Sequence, residues 1–142
     1  PLGSVYQAGT LSGNPVAMCA GITQLRYLQA HPEVYQQIRG LSDRFRNGLK
    51  EIIQRYHAPC TVNGMESLSC LYFTSKPVTN YASAKQADTQ QFRQYFHYML
   101  DAGSYFGPSQ FEAIFVSNAH TTQEIDKTLS DAEAYFAAQE KK

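Results

Sequence analysis

Residues 34–56 read Val34-Tyr35-Gln36-Gln37-Ile38-Arg39-Gly40-Leu41-Ser42-Asp43-Arg44-Phe45-Arg46-Asn47-Gly48-Leu49-Lys50-Glu51-Ile52-Ile53-Gln54-Arg55-Tyr56. Apolar side chains recur at Val34, Ile38, Leu41, Phe45, Leu49, Ile52, Ile53 and Tyr56, at spacings mostly of three and four. A helical backbone brings such positions onto one face, so the stretch predicts a long amphipathic helix with a single apolar stripe. Gln36, Arg39, Asp43, Arg46, Lys50, Glu51 and Gln54 fill the other face and are expected to meet water. A stripe of this kind packs on a coiled-coil partner or on a sheet; the sheet is the commoner use, and the flanking sequence supplies strands.

Downstream, Pro59 ends the helical region. Ser67-Leu68-Ser69-Cys70-Leu71-Tyr72-Phe73 begins by alternating and ends apolar, the pattern of a strand entering a core. Lys76 to Gln86 is polar and irregular, and reads as a surface loop. Asp88 or Thr89 caps a further helix with Phe92, Tyr95, Phe96, Met99 and Leu100 on one face, closed by Gly103. Ser104-Tyr105-Phe106 reads as a short strand before a Gly107-Pro108-Ser109 turn, and Ala113 to Ser117 as another. Thr121-Thr122-Gln123-Glu124 is a capping box opening a last helix with Ile125, Leu129, Ala132 and Phe136 inward. Upstream, His31-Pro32 separates the long helix from one that starts at Asn14-Pro15 and runs to about Gln29, with Asn as N-cap and Pro at the first turn. The order is helix, long helix, strand, helix, strands, helix. It predicts an α/β fold, a two-layer sandwich of helices on a small mixed or antiparallel sheet.

The 142 residues are 43% hydrophobic and 17% charged, the balance of a folded globular chain. Twelve basic residues offset twelve acidic ones, which argues against a nucleic-acid module or a membrane binder driven by bulk charge. No apolar run approaches a membrane span, and no signal peptide is expected. Cys19, Cys60 and Cys70 form no CxxC and read as buried thiols in a reducing compartment. The first residue is not methionine, so the chain is expected to be part of something longer.

Few residues advertise chemistry. His31, His57, His97 and His120 have no metal-ligand spacing, and no metal site is expected. The six lysines fall on exposed faces, loops or the tail, so none is placed to form a Schiff base. Two segments are better candidates. Ala8-Gly9-Thr10-Leu11-Ser12-Gly13-Asn14-Pro15 combines glycines that let backbone N–H groups approach an anion, a hydroxyl donor, and a following helix N-terminus. That chemistry suits a phosphate, although glycine turns before helices are common. In Pro108-Ser109-Gln110-Phe111-Glu112 a carboxylate stands between Phe111 and an apolar strand; Glu112 is either an exposed turn residue or a group facing an ammonium.

Two longer motifs carry a resemblance. Val5-Tyr6-Gln7-Ala8-Gly9-Thr10-Leu11-Ser12-Gly13-Asn14-Pro15-Val16-Ala17-Met18 resembles the opening of the C-terminal part of the glutamate-1-semialdehyde aminomutases, pyridoxal-phosphate enzymes of the class III aminotransferase group. Phe96 to Gly103, Tyr105, Pro108 to Ala113, Phe115 to Ser117 and Ala119-His120-Thr121 resemble the same family in order and spacing. The resemblance covers essentially the whole chain. It implies the C-terminal small domain of a fold-type-I pyridoxal-phosphate enzyme over 31–142, preceded over 1–30 by a cofactor-phosphate loop and an interdomain connecting helix. It further implies a homodimer, cytosolic or plastid, that converts glutamate-1-semialdehyde to 5-aminolevulinate through a pyridoxamine 5'-phosphate form. Gly9 and Thr10 would contact the phosphate of the partner subunit's pyridoxal 5'-phosphate, with Tyr6 nearby, and Glu112 would face the substrate. The Schiff-base lysine, the aspartate on the pyridine nitrogen and the serine phosphate loop would lie upstream, in a large domain, so no catalytic residue is expected in this chain and the chain alone is expected to be inactive. Glu66-Ser67-Leu68 departs from the glycine-rich approach to the strand usual in the family, and Ser4 stands where proline is usual. The alternatives are a fragment of a class III ω-aminotransferase and a non-catalytic interaction or dimerisation module. Without a large domain to cover residues 1–30, the fragment is expected to self-associate.

Overall fold

Asn14 begins the regular structure. Its side-chain oxygen accepts the N–H groups of Val16 at 3.0 Å and Ala17 at 3.2 Å, and Pro15 needs no partner, so helix α1 (Pro15–Ala30) starts where the sequence predicts. The computed structural model describes residues 3–4 and 8–140, and by internal contacts it divides into residues 1–35 and 36–142. In the first unit α1 ends on His31, whose N–H bonds to the Tyr27 carbonyl and whose ring packs on Tyr27 at 4.3 Å. No α1 side chain is buried. Helix α2 (Glu33–Arg55) follows.

In the second unit the α2 stripe predicted from periodicity is buried at Leu41, Phe45, Leu49 and Ile52. Strands β1 (Thr61–Met65), β2 (Leu68–Tyr72) and β3 (Ile114–Phe115) form an antiparallel sheet in the order β1-β2-β3. Val62 faces Leu71 and Met65 faces Leu68 across the first pair; Leu68 and Ser69 face Phe115 and Ile114 across the second. One sheet face, with Ser69 and Leu71 fully buried, meets the helices; the other leaves Met65, Leu68 and Phe115 in an exposed row. Helices α3 (Tyr81–Ala84), α4 (Thr89–Asp101) and α5 (Thr122–Gln139) complete the fold. Leu49, Leu71, Tyr95, Met99, Ala132 and Phe136 join α2, β2, α4 and α5 in one core. The result is the two-layer α/β sandwich, with an antiparallel sheet.

Asp88 caps α4, Gly103 follows it at φ +91°, and Thr121 with Glu124 forms the predicted capping box of α5. Four details differ from the sequence reading. Residues 61–65 form a strand, although Asn63 and Gly64 give them little strand propensity. Within the loop expected over 76–86, Asn80 and Ser83 make a capping box that opens the one-turn α3. Ser104 to Phe106 is not a strand; the Ser104 N–H bonds back to Met99 at 2.7 Å, as part of the α4 ending. Cys19, read as a buried thiol, is exposed, because α1 buries nothing; Cys60 and Cys70 are half-buried.

A fifth difference concerns Arg46, which is buried rather than on the wet face of α2. Its guanidinium crosses the β1–β2 hairpin and donates to the carbonyls of Glu66 at 2.8 Å and Leu68 at 3.0 Å, and to Asp43 at 2.5 Å. Gly64 makes room for it: a Cβ there would lie 2.5 Å from Arg46 Cδ and 2.6 Å from the Leu68 carbonyl oxygen. At the hairpin turn Glu66 has φ +51°, a region that favours glycine, and its carboxylate pairs with Arg39 at 2.9 Å.

Candidate functional site

The predicted site residues fall in both units. In the first, Gly9 and Thr10 lie on an exposed loop of successive turns, with Ser12 N–H on the Gly9 carbonyl and Asn14 N–H on the Leu11 carbonyl, each at 3.0 Å. Gly13 takes φ +74° before the helix. The sequence reading gave part of the anion chemistry to the helix N-terminus. In the structure the first α1 amides are already used: Val16 and Ala17 donate to the Asn14 side chain and Met18 to the Asn14 carbonyl at 2.9 Å. The groups left to meet an anion are therefore those of the loop. Thr10 offers an exposed hydroxyl, and Gly9 a backbone without a Cβ. Tyr6 lies outside the described residues.

In the second unit, Glu112 ends a turn in which Phe111 N–H bonds to Ser109 Oγ at 3.2 Å and Glu112 N–H to the Ser109 carbonyl at 3.0 Å. The Glu112 side chain is exposed and enters no ion pair among the described residues. It leans on Gly107, where a Cβ would lie 2.8 Å from Glu112 Cβ and 2.9 Å from Oε2. An unpaired exposed carboxylate on a tight turn can accept from a cationic or hydroxylated ligand. Gln110, two residues before it, is buried to 3% exposure. Sequence reasoning passed over Gln110, because nothing in Ser109-Gln110-Phe111 tells which way a turn glutamine points.

The remaining reactive groups point to structure. Burial pushes the Cys60 thiol up to about 12, which leaves it protonated and a poor nucleophile. Backbone donors at helix starts hold the Asp88 and Glu124 carboxyls below their usual range, as expected of caps. Among the described residues no group of His, Cys, Asp and Glu is arranged to hold a metal, and no helix is long and apolar enough to cross a membrane. A cavity of about 320 Å³ opens beside Phe45, Phe106, Ile114 and His120, and Gly9, Thr10 and Glu112 do not line it.

No family model matches the chain. Individual proteins do. A glutamate-1-semialdehyde 2,1-aminomutase of Lachnoclostridium phytofermentans is 52% identical over 139 residues, which is 98% of this chain and 33% of that protein. That of Ruminiclostridium cellulolyticum is 53% identical over 133 residues, 94% of this chain and 31% of that protein. By sequence, this chain belongs with the glutamate-1-semialdehyde 2,1-aminomutases, as a C-terminal portion. It spans about a third of the length of the relatives it matches. The fold agrees. A glutamate-1-semialdehyde aminomutase of Pseudomonas aeruginosa in complex with PMP superposes with a TM-score of 0.74 over 99% of this chain and 31% of that one, at 18% identity. An ω-transaminase of Sphaerobacter thermophilus superposes with a TM-score of 0.76 over 94% of this chain and 30% of that one, at 21% identity. At such identities the structures speak for the shared fold, and the aminomutase assignment rests on sequence.

Proposed function

We propose that this chain is the small-domain portion of a pyridoxal-phosphate-dependent aminomutase that converts glutamate-1-semialdehyde to 5-aminolevulinate. The observation that carries the reading is the 52–53% identity to aminomutases over nearly the whole chain. The protein acts in the cytoplasm as a homodimer. Residues 1–30 supply the phosphate loop and a connecting helix, and residues 31–142 the small domain. When bound, the cofactor supplies an electron sink for bonds at the amino-bearing carbon.

The local chemistry fits that group. The exposed loop at Gly9 and Thr10 joins a glycine backbone to a hydroxyl donor, which is what a phosphate needs. In the proposed assembly Gly9 and Thr10 hold the phosphate of the neighbouring subunit's cofactor, Tyr6 lies close to it, and Glu112 faces the substrate, placed to accept from its amino group. The Schiff-base lysine is expected in the part of the enzyme that this chain, about a third of its relatives' length, does not cover, so the chain by itself is inactive. The ω-aminotransferase alternative shares the fold, and what favours the aminomutase is that the relatives matched at 52–53% identity are aminomutases.

The test uses the full-length protein that carries this chain. It should form 5-aminolevulinate from glutamate-1-semialdehyde, and this chain with pyridoxal phosphate should not. Amino transfer from an ω-amino donor to a keto acid, without aminomutase turnover, would sink the reading. T10V should weaken cofactor retention in equilibrium dialysis by about tenfold or more, the cost of one hydrogen bond to a charged group.

A further inference from the structure

We infer that Gln110 is a positioning residue: with Phe111 it anchors the Glu112 turn to helix α3 and so sets where the carboxylate stands. The inference rests on the reading of Glu112 as the substrate-facing group.

Glutamine in a surface turn ordinarily reaches into water. Here it turns inward beside an exposed neighbour, Phe111 at 49% exposure against Gln110 at 3%. Its Nε2 donates to the Ala84 carbonyl at 3.2 Å, at the last residue of α3. That carbonyl also takes the Ala87 N–H, so the amide joins an end-of-helix acceptor already in use. Gln110 Oε1 is buried and has no partner. Burying an amide that is only half satisfied is costly, so the inward conformation must be held by what it fastens.

The next residue grips the other end of the same element. The Phe111 ring lies 5.7 Å from the ring of Tyr81, the first residue of α3, and Lys85 Nζ sits 5.1 Å from that tyrosine ring. Two consecutive turn residues thus hold both ends of α3. The helix is in turn secured. Ser83 N–H donates to Asn80 Oδ1 at 2.9 Å, Ser83 Oγ accepts from the N–H groups of Thr79 and Asn80, and Asn63 of β1 donates to the Val78 carbonyl at 2.7 Å. The line of support therefore runs from the sheet through α3 and Gln110 to the turn, and ends one residue from Glu112. Gly107 closes the other side, since a Cβ there would lie 2.8 Å from Glu112 Cβ and force the turn to shift.

Gln110→Met tests this directly. It keeps the length of the side chain, removes the donor, and also removes the unsatisfied acceptor, so the fold should survive. In the chain itself, hydrogen exchange at the Phe111 and Glu112 amides reports the turn, because both are donors to Ser109. Q110M should speed those two amides by about tenfold and leave those of α4 and α5 unchanged. Tyr81→Ala, at a residue 67% exposed, should do the same to a smaller degree, and it keeps the test alive if Q110M fails to fold. In the full-length enzyme, Q110M should lower kcat/KM by about tenfold, and Q110M with E112Q should be no worse than E112Q alone. Unchanged exchange in both variants, or losses from Q110M and E112Q that multiply, would overturn the inference. A silent E112Q would instead overturn the reading of Glu112, and the exchange result would still decide whether Gln110 anchors the turn.

Discussion

Helices α1 and α2 are neighbours in sequence and opposites in use. Over 23 residues α2 carries a stripe whose centre, Phe45 and Leu49, is 1–2% exposed. Over 16 residues α1 carries Val16, Met18, Ile22, Leu25 and Tyr27, all at least 49% exposed, and Arg26 as its single charge. In α2 the polar and apolar residues are sorted to two faces, and in α1 they are not. A sorted helix is written for one sheet on one side. An unsorted apolar helix, capped firmly by Asn14, is written for neighbours on several sides. This is why the two helices are predicted with equal ease from sequence and yet contribute so differently to the stability of this chain.

Paired truncations test the contrast most sharply. Leu49→Ala in α2 should lower unfolding free energy by about 3 kcal/mol, the usual cost of emptying a filled core site. Leu25→Ala in α1 should change it by less than about 0.5 kcal/mol, as at an exposed position. Urea midpoints measure both, and equal losses would erase the distinction. Gly64→Ala comes next. Its methyl group meets the Leu68 carbonyl and the Arg46 stem, so about 2 kcal/mol should be lost, and in an R46A background the loss should be smaller because the stem is gone. The uncovered α1 gives a third test. The chain alone should show a mass above 15.9 kDa in light scattering at high concentration, and Ile22→Lys with Leu25→Lys should restore the monomer. A monomeric wild type at high concentration would count against that expectation.

The smallest effect is that of acid. Arg44 holds the Asp126 carboxyl low, and the N-terminal donors of α4 and α5 do so for Asp88 and Glu124. A carboxyl lowered on folding stabilises above its ordinary range, and that contribution disappears as pH falls through the lower folded value. The second unit should therefore weaken below about pH 4, and D126N should flatten the fall. Helix α1 has no carboxylate to lose. Urea midpoints at pH 7, 4 and 3 provide the measurement.

What the sequence made legible follows from range. Periodicity and caps mark α1, α2, α4 and α5 because both signals are local. Strand β1 was invisible because its defining residue, Gly64, is chosen by an arginine 18 positions away in sequence. Helix α3 is too short for periodicity, though Asn80 and Ser83 announced it to anyone testing for a capping box. Gly9, Thr10 and Glu112 were singled out by local chemistry and given their expected roles by resemblance, and the structure adds that Asn14 satisfies the helix end beside the first two. Gln110 was passed over because its importance lies in which way it turns, and a glutamine in a polar turn gives no hint of that.

The arginine across the hairpin has one more implication. Besides Asp43, its partners are the uncharged oxygens of Glu66, Leu68 and Ser69, the last at a longer 3.4 Å. Mobile ions weaken attraction between exposed opposite charges far more than they weaken a buried donor on a carbonyl. The hairpin should therefore stay docked on α2 in molar salt, under conditions in which the surface pairs of Arg39 and Arg44 have lost most of their hold.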